Sequence, residues 1–143
     1  MESDEIIKQL PYTRPFLFVD ELTNITEDGI TGNYTFPEDS YFYKGHFKGH
    51  PVTPGVILTE VMAQIGVVCL GILLIQHELG REAPEIALTS HKIDFFHPVY
   101  PGEKITVISE KQYFRFNKLK CFVKALNEKS ELVCRGEIAG MLR

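Results

Sequence analysis

The chain has 143 residues, 44% of them hydrophobic and 24% charged, a globular composition that leaves no room for a second domain of ordinary size. We therefore read residues 1–143 as a single domain. Its formal charge of -4 excludes the basic footprint that wholesale binding to nucleic acid or an anionic membrane needs.

The charge is unevenly spread. Residues 1–40 carry nine acids and two bases, while residues 41–143 carry ten and thirteen, so the later part can offer a positive face to a small acidic partner. The longest uncharged stretch, Val61 to His77, contains Gln64 and falls short of the roughly 20 apolar residues of a membrane span. The N-terminus MESDEIIKQL has no basic region before an apolar run, and the cysteines, Cys69, Cys121 and Cys134, are odd in number without C-x-x-C spacing. These features predict a cytoplasmic protein with reduced thiols.

Ile6, Ile7 and Leu10 make an amphipathic start, and Pro11 and Pro15 separate it from the apolar run Phe16 to Val19. Strands are predicted over Glu21–Thr26 and Gly29–Phe36, turned at Glu27-Asp28-Gly29, because Asp-Gly favours a tight hairpin. From Pro37 to Pro54 the chain is rich in Gly, Pro, His and Tyr and keeps no helical or strand period, so a long structured loop is expected. A helix should start at Thr53, whose hydroxyl can cap, with Pro54 at the first helical position, where a missing N–H costs nothing. It runs to about Leu79, stops at Gly80 and is apolar almost all round, so it belongs inside the fold. Ala63, Gly66 and Gly71 allow close approach to it. Further strands are predicted over Ala87–Phe96, Lys104–Phe114, Leu119–Leu126 and Leu132–Leu142. One buried helix among about six hairpin-joined strands makes an α+β domain, an antiparallel sheet curved around that helix. Its uncovered edges predict pairing with a second copy.

Glu60 is the anomaly of the helix, with Gln64 one turn further on the same face. It either reaches solvent, or is buried and satisfied by Gln64; if buried, desolvation favours the neutral acid and suits it to general-acid work near neutral pH. His46, between Gly45 and Phe47 in the irregular loop, is a structural histidine or a base. His50 does not form a metal pair with it, because Gly49 and Pro51 forbid the helix that would align the two rings. His77, His91 and His97 have no comparable company. Gly55, at the second helical position, leaves an N–H unpaired at the positive end of the helix dipole and lets a ligand approach the backbone; it equally serves to ease the turn into the helix. A base, an acid and a polarising N–H within fifteen residues suit a substrate with an acidic proton next to a carbonyl. G-x-S-x-G, P-loop and G-x-G-x-x-G patterns are missing, and neither a cofactor nor a metal is called for.

The stretch Gly45-His46-Phe47-Lys48-Gly49-His50-Pro51-Val52-Thr53-Pro54-Gly55-Val56-Ile57-Leu58-Thr59-Glu60-Val61-Met62-Ala63-Gln64 resembles the signature of hot-dog-fold 3-hydroxyacyl-[acyl-carrier-protein] dehydratases. Leu10-Pro11 with Arg14-Pro15-Phe16-Leu17-Phe18-Val19-Asp20 is similar to the family's opening, and FFHPVYPGE from Phe95 to Glu103 to its strand and turn after the helix. The resemblance implies a hot-dog fold and dehydration of a 3-hydroxyacyl thioester to the trans-2-enoyl form. His46 would remove the proton next to the thioester, Glu60 would protonate the departing hydroxyl, and the Gly55 N–H would hold the thioester oxygen, with Phe47, Val56 and Gln64 also against substrate. Glu60, where a related isomerising subgroup has Asp, favours the simple dehydratase. The implied partner is an acyl carrier protein, with neither nucleic acid nor membrane. Family members place the His and the Glu of one site on opposite subunits, which implies a homodimer and admits a trimer of dimers.

Lys48, where a proline is usual, Thr59, where an aliphatic residue is common, and Thr89 to Asp94 depart from the pattern but leave the catalytic pair intact. Thr59 and His91 are expected to make the pocket lining more polar. Lys44 and Lys48, with Lys92, Arg115, Lys118 and Lys120, are expected to steer an acidic carrier. A hot-dog acyl thioesterase, with Glu60 activating water or attacking the thioester, is the nearest rival. A non-catalytic acyl-binding subunit is the other, and it needs neither His46 nor Glu60.

Overall fold

The computed structural model describes residues 1–76 and 85–142. A short helix, α1 (Ser3–Lys8), precedes a hairpin of β1 (Glu21–Thr26) and β2 (Gly29–Thr35), and the central helix leads to β3 (Ile86–Phe95), β4 (Lys104–Arg115), β5 (Lys118–Leu126) and β6 (Leu132–Leu142). All six strands lie within one residue of their predicted bounds, and in β4 and β5 the alternation of apolar and polar residues reports one buried sheet face. They form one sheet in the order β1-β2-β4-β5-β6-β3, antiparallel throughout. Hairpins join β1 to β2, β4 to β5 and β5 to β6, and the helix carries the chain from β2 to β3 at the opposite edge. The register shifts in β1, β3, β4 and β6, and a bulge of this kind usually bends its strand.

The sheet wraps the helix. Ile105, Val107 and Ser109 of β4 and Leu119, Cys121, Val123 and Ala125 of β5 are buried at alternate positions. Helix and sheet approach closely at Gly66, where an added β-carbon would lie 3.0 Å from Val123 and 3.1 Å from Ser109. The Ser109 hydroxyl donates to the Gly66 carbonyl at 2.8 Å, which joins the two layers by a buried polar bond. All three cysteines are buried and free, and burial raises each thiol, Cys121 to about 11 and Cys134 to about 12, so they stay protonated packing groups.

The central helix departs from expectation in three respects. First, α2 (Gly55–Ala63) widens into a π turn (Gln64–Val68) before α3 (Cys69–Leu74). Second, Pro54 is extended (φ -60°, ψ 139°) and precedes the helix, so Gly55 is its first residue and not its second. Third, Thr53 does not cap: its hydroxyl is 2.6 Å from the Tyr43 phenol in a buried pair, a stronger claim than an exposed cap makes. The predicted end at Leu79 and Gly80, like His77, lies outside the described residues. Gly55–Leu74 is long and apolar enough by composition to cross a membrane, contrary to the estimate from the uncharged stretch alone. Its most apolar window is 83% buried, and burial among the strands accounts for that composition.

No residue of β3 is fully buried, and among the described residues only one of its edges is paired, to β6.

Candidate active site

His46 sits at the end of a short 3₁₀ turn, Tyr41–Lys44, in the loop before α2. Phe47 and His50 exchange backbone bonds of 2.9 and 3.0 Å, and the Val52 N–H donates to the His46 carbonyl at 2.8 Å, so the loop closes on itself. Gly49 takes φ +68° in this tight turn, a conformation that suits glycine. The ring follows the backbone: His46 Nδ1 lies 2.8 Å from the Val52 carbonyl, which can only accept. The proton of the neutral ring is therefore on Nδ1, and Nε2 keeps its lone pair for a base's work. Phe47 stacks on the imidazole at 4.1 Å and is otherwise open to solvent.

Glu60 is half-buried in α2, and burial raises its carboxyl above the ordinary range while a bond from Gln64 opposes the rise. Gln64 is fully buried and uses its whole amide. Nε2 donates to Glu60 Oε2 at 2.9 Å and to the Phe16 carbonyl at 2.9 Å, and Oε1 accepts from the Phe18 N–H at 2.8 Å. The side chain expected against substrate is thus enclosed: it ties the acid and the opening segment together and presents no free polar atom.

Glu60 opens into a cavity of about 190 Å³ lined by Tyr12, Phe16, Ala63, Val67, Val68, Ile86 and Leu88. His46 does not line it. Among the described residues, the cavity of the proposed acid does not include the proposed base of the same chain. Tyr12 and Phe16 were not assigned a role from the sequence; the signal available was their place in the Leu10 to Asp20 segment, which has no periodicity of its own. Burial and the negative charge of Glu60 push the Tyr12 phenol up to about 12, so it remains a neutral donor.

Gly55 is accessible, and its N–H makes no hydrogen bond among the described residues. Its missing side chain matters, because an added β-carbon would meet the Phe95 ring at 3.3 Å. Phe95 of β3 is therefore a further neighbour of the helix start. Val56 is 76% exposed beside it. Thr59, expected to add polarity to the pocket, instead turns its hydroxyl back to the Gly55 carbonyl at 3.1 Å and is buried. His91 lies exposed in β3 and does not line the Glu60 cavity. His97 is taken up by the Leu132 carbonyl at 2.9 Å and by Glu131 at 3.4 Å.

The family model described as FabA-like domain matches residues 10–133. A 3-hydroxyacyl-[acyl-carrier-protein] dehydratase FabZ of Thermus thermophilus is 37% identical over 133 residues, covering 92% of this chain and 90% of its own. The protein of the same name from Ehrlichia canis is 31% identical, covering 97% and 93%. In three dimensions the chain resembles a structure titled as the dehydratase heterocomplex ApeI:P of Xenorhabdus doucetiae, with a TM-score of 0.80 at 11% identity, covering 96% of this chain and 90% of that one. That likeness shows the hot-dog fold. With the match running from the opening segment through the histidine loop and the helix to the start of β6, the chain belongs to the FabA-like domain family.

Proposed function

We propose that this chain catalyses the reversible dehydration of a 3-hydroxyacyl thioester, carried on an acyl carrier protein, to the trans-2-enoyl thioester, in fatty-acid or related lipid or polyene synthesis. The observation that carries the reading is Glu60, an acid held toward its protonated form by burial and oriented by Gln64 at the mouth of an apolar cavity. His46 Nε2 takes the proton from the carbon next to the thioester, and the enolate charge rests on the Gly55 N–H. Glu60 gives its proton to the 3-hydroxyl, which leaves as water as the double bond forms. Phe47 and Val56 flank the thioester, and Gln64 acts through Glu60.

His46 lies away from the cavity of its own Glu60, and β3 has a free edge among the described residues. Both favour a homodimer in which each site takes its base from one subunit and its acid from the other; a trimer of such dimers is the further assembly. In this reading residues 1–143 are one cytoplasmic hot-dog domain, and the exposed Lys44 and Lys48 beside the histidine meet the acidic carrier.

The test follows a short 3-hydroxyacyl thioester by enoyl absorbance and free thiol together. We expect enoyl product without thiol, and a drop on the order of a hundredfold or more in His46→Ala and in Glu60→Gln. Thiol release without enoyl product would make the protein a thioesterase instead.

A further inference from the structure

The Glu60 cavity has a direction. Glu60, Ala63 and Val67 succeed one another along the helix, so the cavity runs from the acid toward α3, with Tyr12 and Phe16 supplied by the opening segment and Leu88 and Ile86 by β3. Its far end is Ile86, the first residue of β3. The Ile86 δ-methyl fills the place a β-carbon of Gly71 would take, so the side chain is let into the helix surface. On the opposite side a β-carbon at Gly140 would come within 2.7 Å of the Ile86 γ-methyl and 3.3 Å of Val67. Two glycines, one on the helix and one on β6, thus form a socket for this one side chain. A branched side chain seated in such a socket does not swing aside cheaply, because it is stiff at χ1 and its neighbours are close-packed.

Resting on the dehydratase reading above, we infer that Ile86, socketed between Gly71 and Gly140, is the stop of the acyl pocket and makes this enzyme selective for short and medium acyl chains. A cavity of ~150 Å³ accepts one benzene, about six carbons, so the roughly 190 Å³ here accommodates about eight. With the first carbons held at the reacting groups, the limit falls at about ten carbons in all. Residues that face the chain beyond Glu60 are apolar apart from the Tyr12 phenol, which fits a saturated chain of that length.

The experiment measures turnover of 3-hydroxyacyl thioesters across a series of chain lengths, and in parallel the binding of saturated acyl-pantetheine thioesters, which cannot be dehydrated. In the parent protein we expect kcat/KM and binding to hold up to about ten carbons and to fall by on the order of tenfold or more for chains several carbons longer, the scale of methylene discrimination in a hydrophobic pocket. Ile86→Ala should raise the ratio of long-chain to short-chain kcat/KM, and of long-chain to short-chain binding, by a similar factor. Ile86→Val should move the limit the same way by less, and it serves if the alanine variant folds poorly. A length profile that is flat, or unmoved in both variants, overturns the inference and leaves the dehydratase reading standing. A length cut-off in binding with no dehydration at any length sustains the inference and sinks the dehydratase.

Discussion

Gln64→Leu isolates what a single buried amide contributes to both fold and site. Leucine is close to glutamine in volume, so little cavity is made, and the loss is that of three hydrogen bonds. The Phe18 N–H, buried with Gln64 as its acceptor, is left unpaired at a cost of about 1–3 kcal/mol. The Phe16 carbonyl and the Glu60 carboxyl are partly open, and solvent makes good some of their loss, so the whole comes to about 2–4 kcal/mol. Against a typical net stability of about 5–15 kcal/mol this is large. With m near 2 kcal/mol/M it moves the urea midpoint down by about 1–2 M, read at matched protein concentration because assembly adds to apparent stability. The same change removes the one hydrogen bond that holds the Glu60 carboxyl down, so its proton becomes harder to lose. The basic limb of kcat/KM should then move to higher pH. A midpoint within about 0.3 M of the parent, or a basic limb that stays in place, would refute the idea that Gln64 anchors the opening segment and tunes the acid.

Two further outcomes follow from the same geometry. Because burial raises the Glu60 carboxyl, the folded chain holds this proton more tightly than the unfolded one; the associated stability is complete below the unfolded pKa and is lost as pH rises through the folded one. The Tm of Glu60→Gln should therefore gain on that of the parent as pH rises from about 4, the ordinary carboxyl range, through the raised folded pKa, and a pH-independent difference would contradict a desolvated acid. If each site is shared between subunits, His46→Ala and Glu60→Gln chains folded together should recover activity that neither has alone; proven heterodimers without recovery would place the pair within one chain.

Strand positions were legible in the sequence, most directly in β4 and β5, where a half-buried sheet writes period-2 alternation into the chain, and six strands lie within a residue of their expected bounds. His46, Gly55 and Glu60 could be picked out because a helix-start glycine, a loop histidine and an acid in an apolar helix are each locally odd. What the sequence could not determine was set by residues far apart in the chain. Thr53 has the side chain of a cap, yet a buried phenol ten residues earlier takes its hydroxyl. Gln64 reads as a pocket residue one turn from Glu60, yet backbone groups at residues 16 and 18 consume its amide. Gly71 reads only as a residue that allows close approach, and nothing in the sequence joins it to Gly140, yet Ile86 occupies the gap at both. Periodicity records which face of an element is apolar, because burial acts residue by residue; a hydrogen-bond partner or a packing socket belongs to two or three segments at once and exists only when the sheet has closed around the helix.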